Sequence, residues 1–401
     1  MLQLATVLFL LATLLEAHAQ LPSERSIEEI KSEAIHRAEN GMYPLIGLDP
    51  GDVREAFQSV STRDKDEWAK AFMAVADRYM AEAKAAESAD HEKANADYIR
   101  AWRLYSFGRW PIPASPQKQR AYEKALEAFR AHARFLDPPL QLVHIPFEGK
   151  AIVGYLRLPK ATPRPVPLVL AINGLDSRKE DLSESFAAIL PYGVGFLAVD
   201  GPGTGESPIK VGENAERMLS RVLDYVGTRS QVDNTRIAVH GVSFGAYWAT
   251  KLAILERARI RGASAQSPPV DAFFDQEFLL HSLLGNREYL FDQVPALMNV
   301  FDGVNNLDDL ARELGKMSLV KQNLLGRPMA PMLVLAGVKD TQVPISDIYL
   351  LLAKGDTPKM AWINPQGGHL GRQAKIWPDP VIFKQVIIPW LVQTLQNPQV
   401  R

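Results

Sequence analysis

Arg236-Ile237-Ala238-Val239-His240 runs directly into Gly241-Val242-Ser243-Phe244-Gly245, and Ala246-Tyr247-Trp248-Ala249-Thr250-Lys251-Leu252-Ala253 follows. The first stretch is a short apolar strand, the last reads as a helix, and between them a serine stands flanked by glycines. A sharp strand-to-helix turn forces its central residue into a strained backbone conformation and lifts that side chain clear of the sheet. Glycines on either side remove the bulk that would collide with the returning helix. G-x-S-x-G arises by chance in long chains, so the strand before it and the helix after it are what make Ser243 a candidate nucleophile.

A serine hydroxyl is a poor nucleophile at neutral pH and needs a base and a carboxylate that orients the base. Both follow in the chain. Leu333-Val334-Leu335-Ala336 leads into Gly337-Val338-Lys339-Asp340, which places Asp340 in a loop at the carboxyl end of a strand, where parallel sheets build their sites. After the next strand, Asn364-Pro365-Gln366-Gly367-Gly368-His369 lets a loop carry His369 back over the sheet. Of the eight histidines only His369 follows a glycine pair after the last strand. His144 and His240 lie in or beside strands, and His36, His91 and His132 read as helix-face residues. Acyl transfer also needs two donors for the oxyanion. The amide of Phe244 is one, and Ile172-Asn173-Gly174-Leu175-Asp176-Ser177, after the third strand, offers the amide of Leu175 as the other. The glycines of Asp200-Gly201-Pro202-Gly203-Thr204-Gly205-Glu206-Ser207 resemble a phosphate loop, but the Gly-Lys-Ser/Thr ending is missing and the stretch reads as a turn after the fourth strand.

Outward from these motifs, strands are expected at Leu140 to Pro146, Ala151 to Leu158, Val166 to Ile172, Val194 to Val199, Arg236 to Val239, Ile260 to Ala265, Met332 to Ala336 and Met360 to Ile363. The first two form a hairpin, and the others are short apolar runs suited to burial on both faces of a parallel sheet. A helical insertion at 270–325 separates the sixth strand from the seventh, and from it Glu277 and His281 are candidate pocket residues. The expected organisation is a leader over 1–19, a helical cap over 20–137 and an α/β catalytic domain over 138–398. In the cap, Trp68, Phe72, Val75 and Tyr79 share one helix face, and Tyr98, Trp102 and Tyr105 share the next. Trp68 and Trp102 are 34 residues apart, the period of a tetratricopeptide array, but too little chain follows for three repeats and an irregular bundle is expected. The aromatics Trp68, Phe72, Trp102, Phe107 and Trp110 exceed what a few helices need among themselves, so the cap is expected to bury them against the catalytic region as a lid.

With 45 Lys and Arg against 46 Asp and Glu, the net charge is −1, and nothing in that balance points to nucleic acid as a partner. The absence of cysteine excludes disulfides, thiolate metal sites and a thiol nucleophile. Leu4 to Leu15 form an uncharged run of signal-peptide length, followed by Ala17-His18-Ala19, so cleavage is expected before Gln20 and export to a periplasm or the medium, with no stable membrane insertion afterwards.

The order Ser243, Asp340, His369 is the one that α/β-hydrolases use. Together with Asn173-Gly174-Leu175-Asp176-Ser177, Asp200-Gly201-Pro202-Gly203, Gly367-Gly368-His369-Leu370-Gly371-Arg372 and a helical N-terminal region, it resembles the α/β-hydrolase subgroup of 2,6-dihydroxypseudooxynicotine hydrolase and the fungal polyketide-shortening hydrolases. More distantly the chain is similar to the fermentation-respiration switch protein family. The resemblance covers about residues 60 to 398 and implies an eight-stranded, mostly parallel sheet, the triad Ser243, Asp340 and His369, a cap over the site, and a dimer. It implies either ester hydrolysis or hydrolysis of a carbon-carbon bond beside a ketone. The export-type leader departs from a biosynthetic role and fits extracellular compounds. From the residues themselves the expectation is a serine esterase for a small molecule of moderate size, with no metal or organic cofactor needed. Carbon-carbon cleavage would require an additional acid in the pocket, from Glu277 or His281. A partner-binding protein with a vestigial site is the alternative of another class.

Overall fold

The computed structural model describes residues 24–160 and 164–397, so the stretch 1–19, expected to be a leader, lies outside the described residues. Among the described residues five helices come first: α1 (Ile27–Glu39), α2 (Pro50–Phe57), α3 (Lys65–Ala86), α4 (His91–Arg109) and α5 (Pro116–Ala133). Each begins at a side-chain cap. Asp64, for example, accepts from the amides of Asp66 and Glu67, which stabilises the first turn of α3 by about 1 kcal/mol. Pro111 stands two residues after the end of α4, behind the extended cap residue Trp110, and proline has no amide with which to continue the helix. Among the described residues no helix is long and apolar enough to cross a membrane.

Eight strands follow: β1 (Gln141–Phe147), β2 (Lys150–Arg157), β3 (Val166–Ile172), β4 (Gly195–Val199), β5 (Val232–Val242), β6 (Gly262–Gln266), β7 (Met332–Gly337) and β8 (Lys359–Asn364). They form one sheet in the order β1-β2-β4-β3-β5-β6-β7-β8. The hairpin β1-β2 and the β2-β4 pair are antiparallel, and every other pair is parallel. The order reverses between β3 and β5, and at the carboxyl ends of strands beside such a reversal an open sheet leaves a crevice for a ligand. Strands β3, β4, β6 and β7 are buried throughout, as their apolar runs predict. β8 differs. It is the edge strand, so Met360 is 55% exposed and its hydrophobic character reflects one covered face, not two.

Helices α6 (Lys179–Phe186), α7 (Glu216–Gly227) and α8 (Phe244–Leu255) return between strands, and the chain closes with α12 (Ile388–Gln396), after α9 (Gln293–Val300), α10 (Leu307–Lys316) and α11 (Ile345–Ala353). The insertion is less regular than its sequence suggests. Before α9 it consists of single turns, including a π-helical turn at Leu279–Leu283. Its start is pinned by buried Asp347, whose carboxylate accepts from the amides of Val270, Asp271, Ala272 and Phe273.

The first five helices are an irregular bundle, and their aromatic residues are spent in two ways. Trp68 packs edge-on against Phe57 and Phe107 within the bundle. Trp68 and Trp110 also meet Phe291, and Trp110 stacks on Tyr289 at 5.1 Å, both partners coming from the insertion. Phe129 of α5 packs on Tyr155 of β2 in the same way. One continuous apolar core therefore runs from the bundle into the sheet and the insertion.

Candidate active site

Ser243 sits between β5 and α8 at φ 54°, ψ −119°, a conformation that costs on the order of 1–3 kcal/mol for a residue with a side chain. The surrounding structure enforces it. A Cβ on Gly241 would overlap the carbonyl of Gly245, and one on Gly245 would overlap the carbonyls of Ile172 and Asn173. Both glycines of the pentapeptide are thus demanded by backbone in contact with backbone. The amide of Ser243 is anchored by the carbonyl of Gln266 at 2.8 Å.

The loop after β8 brings His369 over this turn. Its Nε2 lies 2.9 Å from Ser243 Oγ, and its Nδ1 lies 2.9 and 3.1 Å from the two oxygens of Asp340. A carboxylate only accepts, so the Nδ1 proton faces Asp340 and Nε2 is left to accept from the serine hydroxyl. Asp340 is held from its other side by the amides of Gln342 and Val343, both at 2.9 Å. Burial disfavours the imidazolium, but the charge and hydrogen bond of Asp340, with the charge of Glu288, more than offset it against Arg372, and the pKa of His369 lies above the ordinary value.

The amides of Phe244 and Leu175, expected as oxyanion donors, make no hydrogen bond among the described residues. Gly174, beside Leu175, approaches so closely that a Cβ there would touch the Ser243 side chain at 3.3 Å. The loop of Asn173 is tied by its own side chain, which donates to the carbonyls of Gly174 and Ser177. The stretch Asp200 to Ser207 is a turn. Its amides of Gly201, Gly203, Thr204, Glu206 and Ser207 already donate within the protein, so they are not presented to a phosphate.

Glu277 and His281 do not reach the site. Both are exposed, because the buried side of their turn is occupied by Leu279 and Leu283, and neither lines the cavity above Ser243. The residue that does arrive from the insertion is Glu288. One of its oxygens accepts from the amide of His369, and the other from the amide and hydroxyl of Thr341, both at 2.8 Å. It thereby joins the loop of Asp340 to the loop of His369. A Cβ on Gly368 would overlap that carboxylate, which accounts for the second glycine of the pair. No local pattern marks Glu288, because its partners lie 53 and 81 residues further along the chain.

Ser243 and His369 open into a cavity of about 710 Å³, the size of a site for one ligand of moderate mass. One wall is sheet loops; the other includes Trp102, Phe107 and Trp110 of the bundle with Phe273 and Tyr289 of the insertion. Among the described residues no group of three or more His, Asp or Glu side chains is placed to hold a metal ion.

The sheet order, the strained serine corner after β5 and the Asp340 and His369 loops after β7 and β8 define an α/β-hydrolase fold. The profile of the family described as "Esterase FrsA-like" matches residues 55–366, most of the chain, and the protein belongs to that family. It is 28% identical over 263 residues to the α/β hydrolase ucsC of Acremonium sp., a match covering 59% of this chain and 53% of that protein. It is also 28% identical over 270 residues to esterase FrsA of Yersinia pestis (strain Pestoides F), covering 65% of this chain and 61% of that protein. The matches thus span only about half to three fifths of these curated relatives. Among solved structures, 2,6-dihydroxy-pseudo-oxynicotine hydrolase superposes with a TM-score of 0.73 at 22% identity over 87% of this chain and 94% of that one. AbyA5 gives 0.70 at 18% identity, over 92% and 95%. These two establish that the shared fold includes the helical region.

Proposed function

We propose that the protein is a serine hydrolase that cleaves carboxylic esters of moderate-sized, largely apolar or aromatic molecules through an acyl-enzyme. The observation that carries this reading is the unbroken chain from Asp340 through His369 to Ser243, ending in the cavity. Ser243 Oγ attacks the ester carbonyl carbon while its proton passes to His369 Nε2. The carbonyl oxygen becomes an oxyanion facing the amides of Phe244 and Leu175, each donor stabilising the transition state by about 3 kcal/mol. His369 returns the proton to the departing alkoxide, which leaves as an alcohol. Water then attacks the acyl group, again giving a proton to His369, and the acid departs as Ser243 is restored. Asp340 keeps the imidazole in the required tautomer and stabilises its charged form.

Ester cleavage is favoured over carbon-carbon cleavage because a carbanion leaving group needs an additional proton donor. Glu277 and His281 face away, and both oxygens of Glu288 already accept hydrogen bonds. The decisive experiment is labelling with a fluorophosphonate, with Ser243→Ala as control, followed by turnover on alkyl and aryl esters beside β-diketones. Absence of a Ser243 adduct would refute the reading; turnover of the diketones alone would replace ester cleavage with the carbon-carbon reaction. We also propose that the enzyme works outside the cytoplasm, a reading supported by the uncharged run Leu4 to Leu15 and the Ala17-His18-Ala19 that follows it, which together have the pattern of a cleaved leader. A mature amino terminus at Gln20 in the exported fraction is the expected result.

A further inference from the structure

The end of α4 reaches the loop of Leu175. Arg109, the last residue of α4, donates from Nη1 to the carbonyl of Asp176 at 2.6 Å and to that of Pro111 at 3.0 Å. Trp110 donates from Nε1 to the Asp176 carboxylate at 2.9 Å. All three side chains are more than nine-tenths buried. Asp176 directly follows Leu175, whose amide makes no hydrogen bond among the described residues and whose neighbour Gly174 closely approaches Ser243.

The other ties of this loop are made from the sheet side. Asn173 holds Gly174 and Ser177, Ser177 Oγ accepts from the amide of Gly174, and Arg178 donates to the carbonyl of Leu175. These fix the shape of the loop. Its outer side is anchored by Arg109 and Trp110, and Trp110 is in turn immobilised by stacking on Tyr289, by Phe291 and by Lys118 Nζ on its carbonyl at 2.7 Å. An oxyanion donor works only within a few tenths of an ångström of its position, so the stiffness of this anchor is felt in the transition state.

We propose that Arg109 and Trp110 are positioning residues: the helical region does not merely cover the cavity but sets the Leu175 amide against the developing oxyanion. This rests on the reading of Ser243 as nucleophile. It is tested in the full-length protein with Trp110→Phe, which keeps a stacking ring but loses the donor, with Asp176→Ala, which removes the acceptor from the loop, and with the two combined. Fluorophosphonate titration of Ser243 counts active molecules, and kcat and KM are measured on a p-nitrophenyl ester and on its thionoester, whose sulfur accepts hydrogen bonds poorly. The expected result is a fall in kcat of about tenfold with KM within about twofold. The ester-to-thionoester rate ratio should shrink with it, and the double variant should be no worse than the singles, because both break one bond. Losses confined to KM, an unchanged ratio, or additive losses in the double variant overturn the proposal. If Trp110→Phe does not fold, Asp176→Ala tests the same bond from the other side. A wild-type protein that neither labels nor turns over defeats the hydrolase reading itself, a different outcome from labelled, active variants with an unaltered ratio.

Discussion

The two walls of the cavity are built in opposite ways. The sheet wall consists of turns at the ends of β3, β5, β7 and β8, where backbone presses on backbone and particular residue types are demanded, as at Gly241 and Gly245. The helical wall, apart from the bond of Trp110 to Asp176, consists of side chains such as Trp102 and Phe107, packed by shape. Apolar packing tolerates volume-conserving exchange, whereas a glycine at which any Cβ would overlap neighbouring backbone does not. Chemistry should therefore fail abruptly when the first wall is altered, and stability or selectivity should fail by degrees when the second is.

The sharpest break is expected at Ser243 and Asp340. Ser243→Ala should lower kcat by roughly 10⁴-fold or more with the melting temperature nearly unchanged, since it removes a hydroxyl and little packing. Asp340→Asn should cost on the order of 10³ to 10⁴-fold, because an amide favours the wrong imidazole tautomer. Residual activity above a few per cent in either pure variant would move the nucleophile or the acid elsewhere.

Glu288 joins the two walls, and its replacement should have a mixed result. Glu288→Gln still has one acceptor oxygen but cannot accept on both sides, so kcat should fall by about ten- to a hundredfold as the His369 and Asp340 loops loosen. The pH profile gives the second measurement. Imidazolium is inactive as a base, so on the proposed mechanism activity should be lost as pH falls through the pKa of His369, which lies above the ordinary histidine value of 6.5. Removing the negative charge of Glu288 takes away one of the influences that raise it, so the acid limb should move to lower pH. A limb that stays in place would reduce Glu288 to a structural staple.

Trp68 lies deep in the bundle, away from the cavity, with its Nε1 on the carbonyl of Phe107 at 3.0 Å. Trp68→Ala should cost about 3 to 5 kcal/mol in unfolding free energy while each folded molecule keeps its kcat. A matching loss of kcat per titrated serine would show that the two walls are less independent than their construction suggests. The smallest effect is expected at Glu277 and His281. Alanine at either position should leave kcat/KM within about twofold, and a larger change would return them to the pocket.

These contrasts follow how much of the site was legible in the chain. Ser243, Asp340 and His369 could be named from short stretches because each sits at a strand end whose turn leaves a local signature of glycines and apolar runs. β5 proved longer than its apolar core, reaching back to Val232, since pairing geometry rather than hydropathy ends a strand. Glu277 and His281 were misplaced because composition locates an insertion but not the direction in which its turns face. Glu288 stayed hidden for the complementary reason: its role exists only through contacts across 53 and 81 residues.

What the sequence by itself determined is the set of groups that can react and the order of elements that carries them, because strained turns and buried strands restrict residue type over a few neighbouring positions. Only the tertiary structure decided which carboxylate binds the His369 and Asp340 loops together, and that Arg109 and Trp110 hold the loop of Leu175 from 67 and 66 residues away. Such contacts join side chains through space after folding has brought their elements together, and a hydrogen bond of that kind leaves no periodicity, spacing or composition along the chain.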